Sequence, residues 1–208
     1  MNRRSFLKSS AFSLMGLAAV CLGCGSQQTA SSPTAAPTAD EGAQQTMNTT
    51  DKKILIAYFS WSGNTKAVAE AIHARTGGDI YQIVPENPYS QTYSVTVDKA
   101  KEEQQANARP ALKNTPPEID QYDLIFIGYP NWWGSMPMPV ATFLESCTWQ
   151  GKTVVPFFTH GGGGVQNCDR DLRKLTAGAN VYEYLCLPGN KAKTSQTEID
   201  GWLHKLPL

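Results

Sequence analysis

Lys53-Ile-Leu-Ile-Ala-Tyr-Phe59 runs straight into Ser60-Trp-Ser-Gly-Asn-Thr65, which runs straight into Lys66-Ala-Val-Ala-Glu-Ala-Ile72. An apolar β-rich run, a hydroxyl-bearing loop with one glycine and a segment of helical composition follow one another without a spare residue. This order predicts a strand that delivers Ser60, Ser62, Gly63, Asn64 and Thr65 to a helix N-terminus. First-turn N–H groups lack intrahelical partners and the helix dipole favours an anion, so the loop suits a phosphate. It contains no Lys or Arg, and it lacks the P-loop spacing in which a glycine-rich stretch ends in Lys followed by Ser or Thr. A phosphate monoester held by neutral donors fits better than a triphosphate with its metal. The same residues would also make an ordinary helix cap, with Asn64 or Ser62 capping and Gly63 turning the chain.

Working outward, strand-like and helix-like segments alternate to the end of the chain. Asp79 to Pro85 reads as a short strand ended by proline, and Val95 to Asn107 as a charged helix. Tyr122-Asp-Leu-Ile-Phe-Ile-Gly-Tyr-Pro130 is almost continuously apolar, as expected of a central strand covered on both faces. Pro139 to Ser146 reads as a helix, Lys152 to Phe158 as a buried strand and Asp169 to Leu175 as a short helix. Asn180 to Leu187 reads as a fifth strand and Ser195 to Leu206 as a closing helix. Such alternation implies an α/β fold: a parallel sheet with right-handed crossovers and helices on both faces.

In an open parallel sheet the ligand crevice lies beyond the carboxyl ends of the strands, where strand order reverses. Three loops are placed there. One is the hydroxyl loop, one is Pro130-Asn-Trp-Trp-Gly134, and one is Thr159-His-Gly-Gly-Gly-Gly164. Trp132 and Trp133 at a strand end call for a flat apolar partner or for packing between helix and sheet. The glycine run lets backbone amides approach a ligand without interference from Cβ atoms.

With these loops in view, nearly all of Lys52 to Leu208 resembles the flavodoxin-like family, in particular its branch with Gly-Tyr-Pro-x-Trp-Trp-Gly and Thr-His-Gly-Gly-Gly segments. The resemblance implies a doubly wound five-stranded parallel sheet in the order 2-1-3-4-5, with FMN at the switch point; flavodoxin is itself the standing example of that rule. It implies that Ser60, Ser62, Gly63, Asn64 and Thr65 hold the FMN phosphate. Pro130, Asn131, Trp132, Trp133 and Gly134 would contact the flavin ring, and Thr159, His160, Gly161, Gly162 and Gly163 its other edge. Trp61 receives no role beyond packing on the ribityl chain, and Tyr89 and Tyr93 cover the flavin, dock a partner or pack. His160, the one titratable group expected at the ring edge, either donates toward N1 or O2 of the reduced flavin or is an orienting histidine bonded to backbone.

The chain has 208 residues with 18 basic and 18 acidic side chains, enough for one domain plus accessory segments. The sequence pI of about 6.8 argues against a nucleic-acid partner, for which a basic domain is expected. Arg3-Arg4 and the apolar stretch from Ala11 to Leu22 resemble a twin-arginine export signal, with Asn2 where Ser or Thr is usual. Leu22-Gly-Cys-Gly25 resembles a lipoprotein box with Cys24 as the lipidated residue and Cys21 in place of the usual Leu. Residues 1–24 are thus expected to be a signal peptide. Residues 25–51, rich in Ser, Thr, Ala, Pro and Gln, are expected to be a disordered tether, and 52–208 the folded domain. Cys147, Cys168 and Cys186 match no zinc or disulfide spacing, and a Cys147 to Cys168 bridge is one option outside the cytoplasm.

Two functions follow as expectations. One is electron transfer outside the cytoplasmic membrane, with a redox protein or a quinol as partner and a lipid anchor on Cys24. The alternative is an FMN-dependent NAD(P)H:quinone-type oxidoreductase. Export favours the carrier, because soluble nicotinamide cofactors are expected to be scarce outside the cytoplasm. Decay of the site to a mere interaction module is a third option.

Overall fold

The computed structural model describes residues 52–208; the signal peptide, Cys24 and the tether expected from the sequence lie outside the described residues. Eleven helices and strands follow in chain order: β1 (Ile54–Tyr58), α1 (Asn64–Thr76), β2 (Asp79–Gln82), α2 (Tyr93–Gln105), β3 (Leu124–Pro130), α3 (Met138–Glu145), β4 (Thr153–His160), α4 (Cys168–Leu175), β5 (Asn180–Val181), β6 (Leu185–Pro188) and α5 (Gln196–Leu203). All strand pairs are parallel, and the order is β2-β1-β3-β4-β5, with β6 also paired to β4. This is the doubly wound order 2-1-3-4-5 expected from the sequence, with strand order reversing between β1 and β3.

Alternation along β1 shows how the sheet is covered. Ile54, Ile56 and Tyr58 join Val68, Ile72, Phe126, Phe157 and Trp202 in one core, under α1 and α5. Leu55, Ala57 and Phe59 point to the opposite core with Ile125, Ile127, Phe143 and Leu172, under α3 and α4. Side-chain period two thus divides one apolar run between two layers. Helix α1 exists because Val68, Ala69 and Ile72 share its buried face. Gly77, left-handed at φ 67°, ends it by donating its N–H to His73 O at 2.8 Å.

The fifth strand departs from the uninterrupted Asn180–Leu187 run read from the sequence. β5 pairs with the start of β4 and β6 with its end; Tyr182 N–H still donates to Val154 O at 2.9 Å, and the chain leaves the ladder at Glu183-Tyr184. Side chains hold the interruption open. The Arg173 guanidinium donates to Val181 O at 2.9 Å and Tyr182 O at 3.2 Å, and Trp202 Nε1 donates to Glu183 O at 3.0 Å. These carbonyls satisfy themselves away from a sheet partner, and a period-two reading carries no trace of such competition.

Cys147, Cys168 and Cys186 are all free thiols, so the Cys147–Cys168 bridge is not formed. Burial holds each thiol above its usual range, and Cys168, fully buried, is pushed up to about 12.

Candidate functional site

Strands β1, β3 and β4 all end on the same edge of the sheet, so their following loops converge. The first turn of α1 begins with Gly63 in the left-handed conformation at φ 85°, and no side chain caps it. Ser62 and Asn64 are therefore not used as caps, and a glycine is required because an L side chain at this φ is strained. Ser60 Oγ is sealed from solvent without a hydrogen-bond partner. A sealed hydroxyl with no partner is uncommon enough to mark a place prepared for a ligand or an ion. Lys66, the nearest lysine in sequence, faces away along the helix to Glu70 at 3.7 Å.

The loops after β1 and β4 are joined below the surface. Thr65 Oγ1 and Thr159 Oγ1 lie 2.8 Å apart, both buried. The loop after β3 is tied to β4 by Asn131 N–H, which donates to Thr159 O at 2.7 Å. Asn131 then organises both neighbours: its Nδ2 donates to Gly164 O at 2.7 Å, and its Oδ1 accepts from Gly134 N at 2.9 Å. Trp132 and Ser135 exchange backbone bonds of 2.9 and 3.0 Å across Trp133 (φ 51°) and Gly134 (φ 81°). Two consecutive positive φ values make this a tight type I′ turn, which suits Gly134 and strains Trp133.

That turn separates the two tryptophans that the sequence groups together. Trp132 stands near-perpendicular to Phe59 and Tyr89, with ring centroids 5.3 and 5.1 Å away. Tyr89 is itself buried, and its hydroxyl donates to Glu103 of α2. Burial and that carboxylate raise the Tyr89 pKa far beyond the ordinary phenol range, so it stays a neutral donor. Trp133 turns outward at 49% exposure, with the Lys101 ammonium 5.1 Å over its ring.

A cavity of about 570 Å³ opens between the three loops. Of the residues expected from the sequence, Ser62, Asn64, Pro130, Asn131, Trp132, Thr159, His160, Gly161 and Gly162 line it. Ser60, Gly63 and Thr65 shape the loop without lining the cavity; Gly134 and Gly163 sit instead beside Gln166. Trp61 and Tyr93, one given only a packing role and the other left open, both line it. His160 Nδ1 accepts the Gly162 N–H at 3.0 Å, so the neutral ring carries its proton on Nε2. Among the described residues, no Asp, Glu, Lys or Arg lies on the cavity wall.

Pro188, Gly189 and Asn190 complete the wall and escaped the sequence reading. Pro188 ends β6 and Gly189 and Asn190 follow it on the same edge, and a Pro-Gly-Asn turn at the end of the last strand was the available signal. Gly189 is buried, and a Cβ there would lie 2.6 Å from Asn64 Nδ2. The Asn64 side chain can swing away at little cost to the fold, but only by leaving its place in the cavity. Gly189→Ala is therefore expected to leave the melting temperature within about 2 °C of wild type and to weaken binding of the FMN that the resemblance implies about tenfold, or roughly 1.4 kcal/mol. Thermal melts paired with FMN titration check both halves.

The flavodoxin family model matches residues 53–206. No curated protein matches the chain. Among solved structures, a candidate flavoprotein from Bacteroides eggerthii is 36% identical, with 76% of this chain and 99% of that chain covered and a TM-score of 0.66. A second, from Bacteroides uniformis, is 30% identical over 74% of this chain and 98% of that chain, also with a TM-score of 0.66. A flavoprotein from Lactobacillus acidophilus, solved in complex with FMN, is 29% identical over 73% of this chain and 99% of that chain, with a TM-score of 0.60. With its doubly wound sheet, its three converging loops and a family match over almost the whole described region, the chain belongs to the flavodoxin family.

Proposed function

We propose that this chain binds FMN and carries electrons on the extracytoplasmic side of a membrane, held there by a lipid on Cys24. The observation that carries the FMN assignment is the cavity of about 570 Å³ at the sheet's switch point, lined among the described residues by no Asp, Glu, Lys or Arg. Its size falls within the roughly 300–1,000 Å³ typical of cofactor sites. The residues fit the group on three counts: an uncapped helix N-terminus with Ser62 and Asn64 beside it, a sealed unpartnered Ser60 hydroxyl, and a Gly189 cradle that a Cβ would close. The similar Lactobacillus acidophilus flavoprotein binds FMN, which supports the same assignment here.

In this reading the α1 amides, Ser62 and Asn64 bind the phosphate, so no cation is needed. Trp132, held from behind by Phe59 and Tyr89, shelters the ring from water. Gly161 and Gly162 bring the backbone to the ring edge, and His160 offers an Nε2 proton there. FMN, once bound, supplies one- and two-electron redox chemistry that the protein tunes through hydrogen bonds and charge.

Because the wall bears no carboxylate, negative charge on the reduced cofactor meets less repulsion than in acidic flavodoxins. The potential for the second electron is expected to be less negative than theirs. Redox titration of the FMN-loaded protein checks this, and a value as low as that of acidic relatives contradicts it.

Export motifs at Arg3-Arg4 and Cys24 support the location and the carrier role. The alternative, an NAD(P)H:quinone-type oxidoreductase, needs a place for a dinucleotide bearing several negative charges, and among the described residues no Lys or Arg lines the cavity to receive one. Anaerobic mixing of the FMN-loaded protein with NADH and with NADPH tests the choice. The carrier reading predicts no flavin bleaching on the seconds scale; rapid bleaching followed by turnover on a quinone would replace it with the reductase.

A further inference from the structure

A second cavity, of about 260 Å³, adjoins the first and shares Trp61, Tyr93, Asn131 and Trp132 with it. Thr96, Val97 and Ala100 of α2 and the outward ring of Trp133 complete its lining. Four aromatic side chains thus reach it from three separate segments: the loop after β1, the start of α2 and the turn after β3. Among the described residues, no Asp, Glu, Lys, Arg or His lines it. Of its polar side chains, Thr96 Oγ1 donates to Ser90 O at 2.7 Å and Asn131 is bonded to Gly164 and Gly134. What remains for a ligand is ring faces, methyl groups and two neutral donors, the Tyr93 hydroxyl and the Trp132 Nε1–H.

The rings are held in place before any ligand arrives. Trp61 Nε1 donates to Ser90 O at 2.9 Å, and Trp133 Nε1 donates to Val97 O at 3.0 Å. Both indole N–H groups are thereby satisfied by backbone, leaving the apolar faces presented. Trp133 keeps a strained positive φ and 49% exposure, and Tyr93 is 72% exposed. Large aromatics anchored in such positions, when packing would bury them, mark a contact surface.

We propose that this second cavity binds a small, planar, uncharged aromatic molecule of the quinone or quinol type, placed against the walls it shares with the flavin cavity. The volume suits one or two fused rings and is below the usual size for a cofactor. Stacked and edge-on contacts with indole and phenol rings suit a flat neutral partner. A nicotinamide dinucleotide does not fit, because its pyrophosphate would meet no cation on the wall. The nearby Lys101 ammonium already lies over the Trp133 ring. The proposal rests on the larger cavity being the FMN site and names the class of redox partner for that site.

Equilibrium dialysis of the full chain, with and without FMN, against menadione as the neutral two-ring probe is the test. FMN uptake is read first and separately, from the visible spectrum, so a failure of cofactor binding is recognised before the second ligand is added. The FMN-loaded protein is expected to bind menadione saturably at one site, and a large excess of NADH should not displace it. Trp133→Ala should weaken menadione about tenfold by removing one aromatic wall. Val97→Glu, which places a carboxylate in the neutral cavity, should weaken it at least as much while FMN uptake stays unchanged. Absence of saturable binding to the yellow protein, or binding indifferent to both substitutions, overturns the proposal. So does menadione binding to the FMN-free protein that FMN abolishes, since the second cavity would then be part of the flavin site.

Discussion

Trp132→Ala is expected to weaken FMN binding about 30- to 100-fold, corresponding to a loss of roughly 2–3 kcal/mol of ring contact. Trp132, like Trp61, lines both cavities, and it is braced by two core rings, Phe59 and Tyr89. Truncation removes the ring surface and leaves Phe59 and Tyr89 with only each other of this aromatic cluster, so the melting temperature should fall as well. Trp132→Phe retains a flat apolar side chain and should recover much of both losses. Titration of FMN into each variant, followed by the quenching of flavin fluorescence, measures the first effect, and thermal melts measure the second. Equal FMN affinity in wild type and Trp132→Ala would remove the indole from the binding site.

Gly128→Ala is expected to be the most damaging small substitution in the sheet. Gly128 sits in the middle of β3, paired with Tyr58 of β1 and Phe157 of β4. An added Cβ would lie 2.0, 2.1 and 2.6 Å from three carbons of the Phe157 ring. That ring is fully buried in the core under α1 and α5, and β3 is hydrogen-bonded on both edges, so neither side can yield without disturbing a layer. Overpacking of this kind costs about 3 kcal/mol, near the upper end of its usual range. For a domain of this size the melting temperature should drop by about 6–12 °C. Phe157→Leu in the Gly128→Ala background should restore part of the loss by vacating the clash, and a double variant no more stable than Gly128→Ala alone would show that the ring is not the obstacle.

Much of this fold was legible because the chemistry that builds it is local. The apolar run at Ile54 to Phe59 alternates between two cores, the run at Leu124 to Pro130 is covered on both sides, and Gly63 and Gly77 bracket α1. The parallel order then follows from strand-helix alternation. The divided fifth strand was not legible. Arg173 and Trp202, which take up the Val181, Tyr182 and Glu183 carbonyls at the break, come from α4 and α5 and act only once the chain is folded. At the site, loop composition pointed to the hydroxyl, tryptophan and glycine segments, and nine of those residues line one cavity. What composition could not separate was Trp132 from Trp133: their different fates depend on two positive φ values and on an α2 carbonyl that receives one indole N–H. Gly189 escaped notice because its importance lies in the absence of a side chain beside Asn64, a contact 125 residues away in sequence.

The most direct test is to purify the full chain, record its visible spectrum, release and identify any bound cofactor, and titrate the stripped protein with FMN. A yellow protein that yields FMN and rebinds it at one molecule per chain with submicromolar affinity is the predicted result. A colourless protein that takes up no FMN at micromolar concentration while remaining folded would contradict the account.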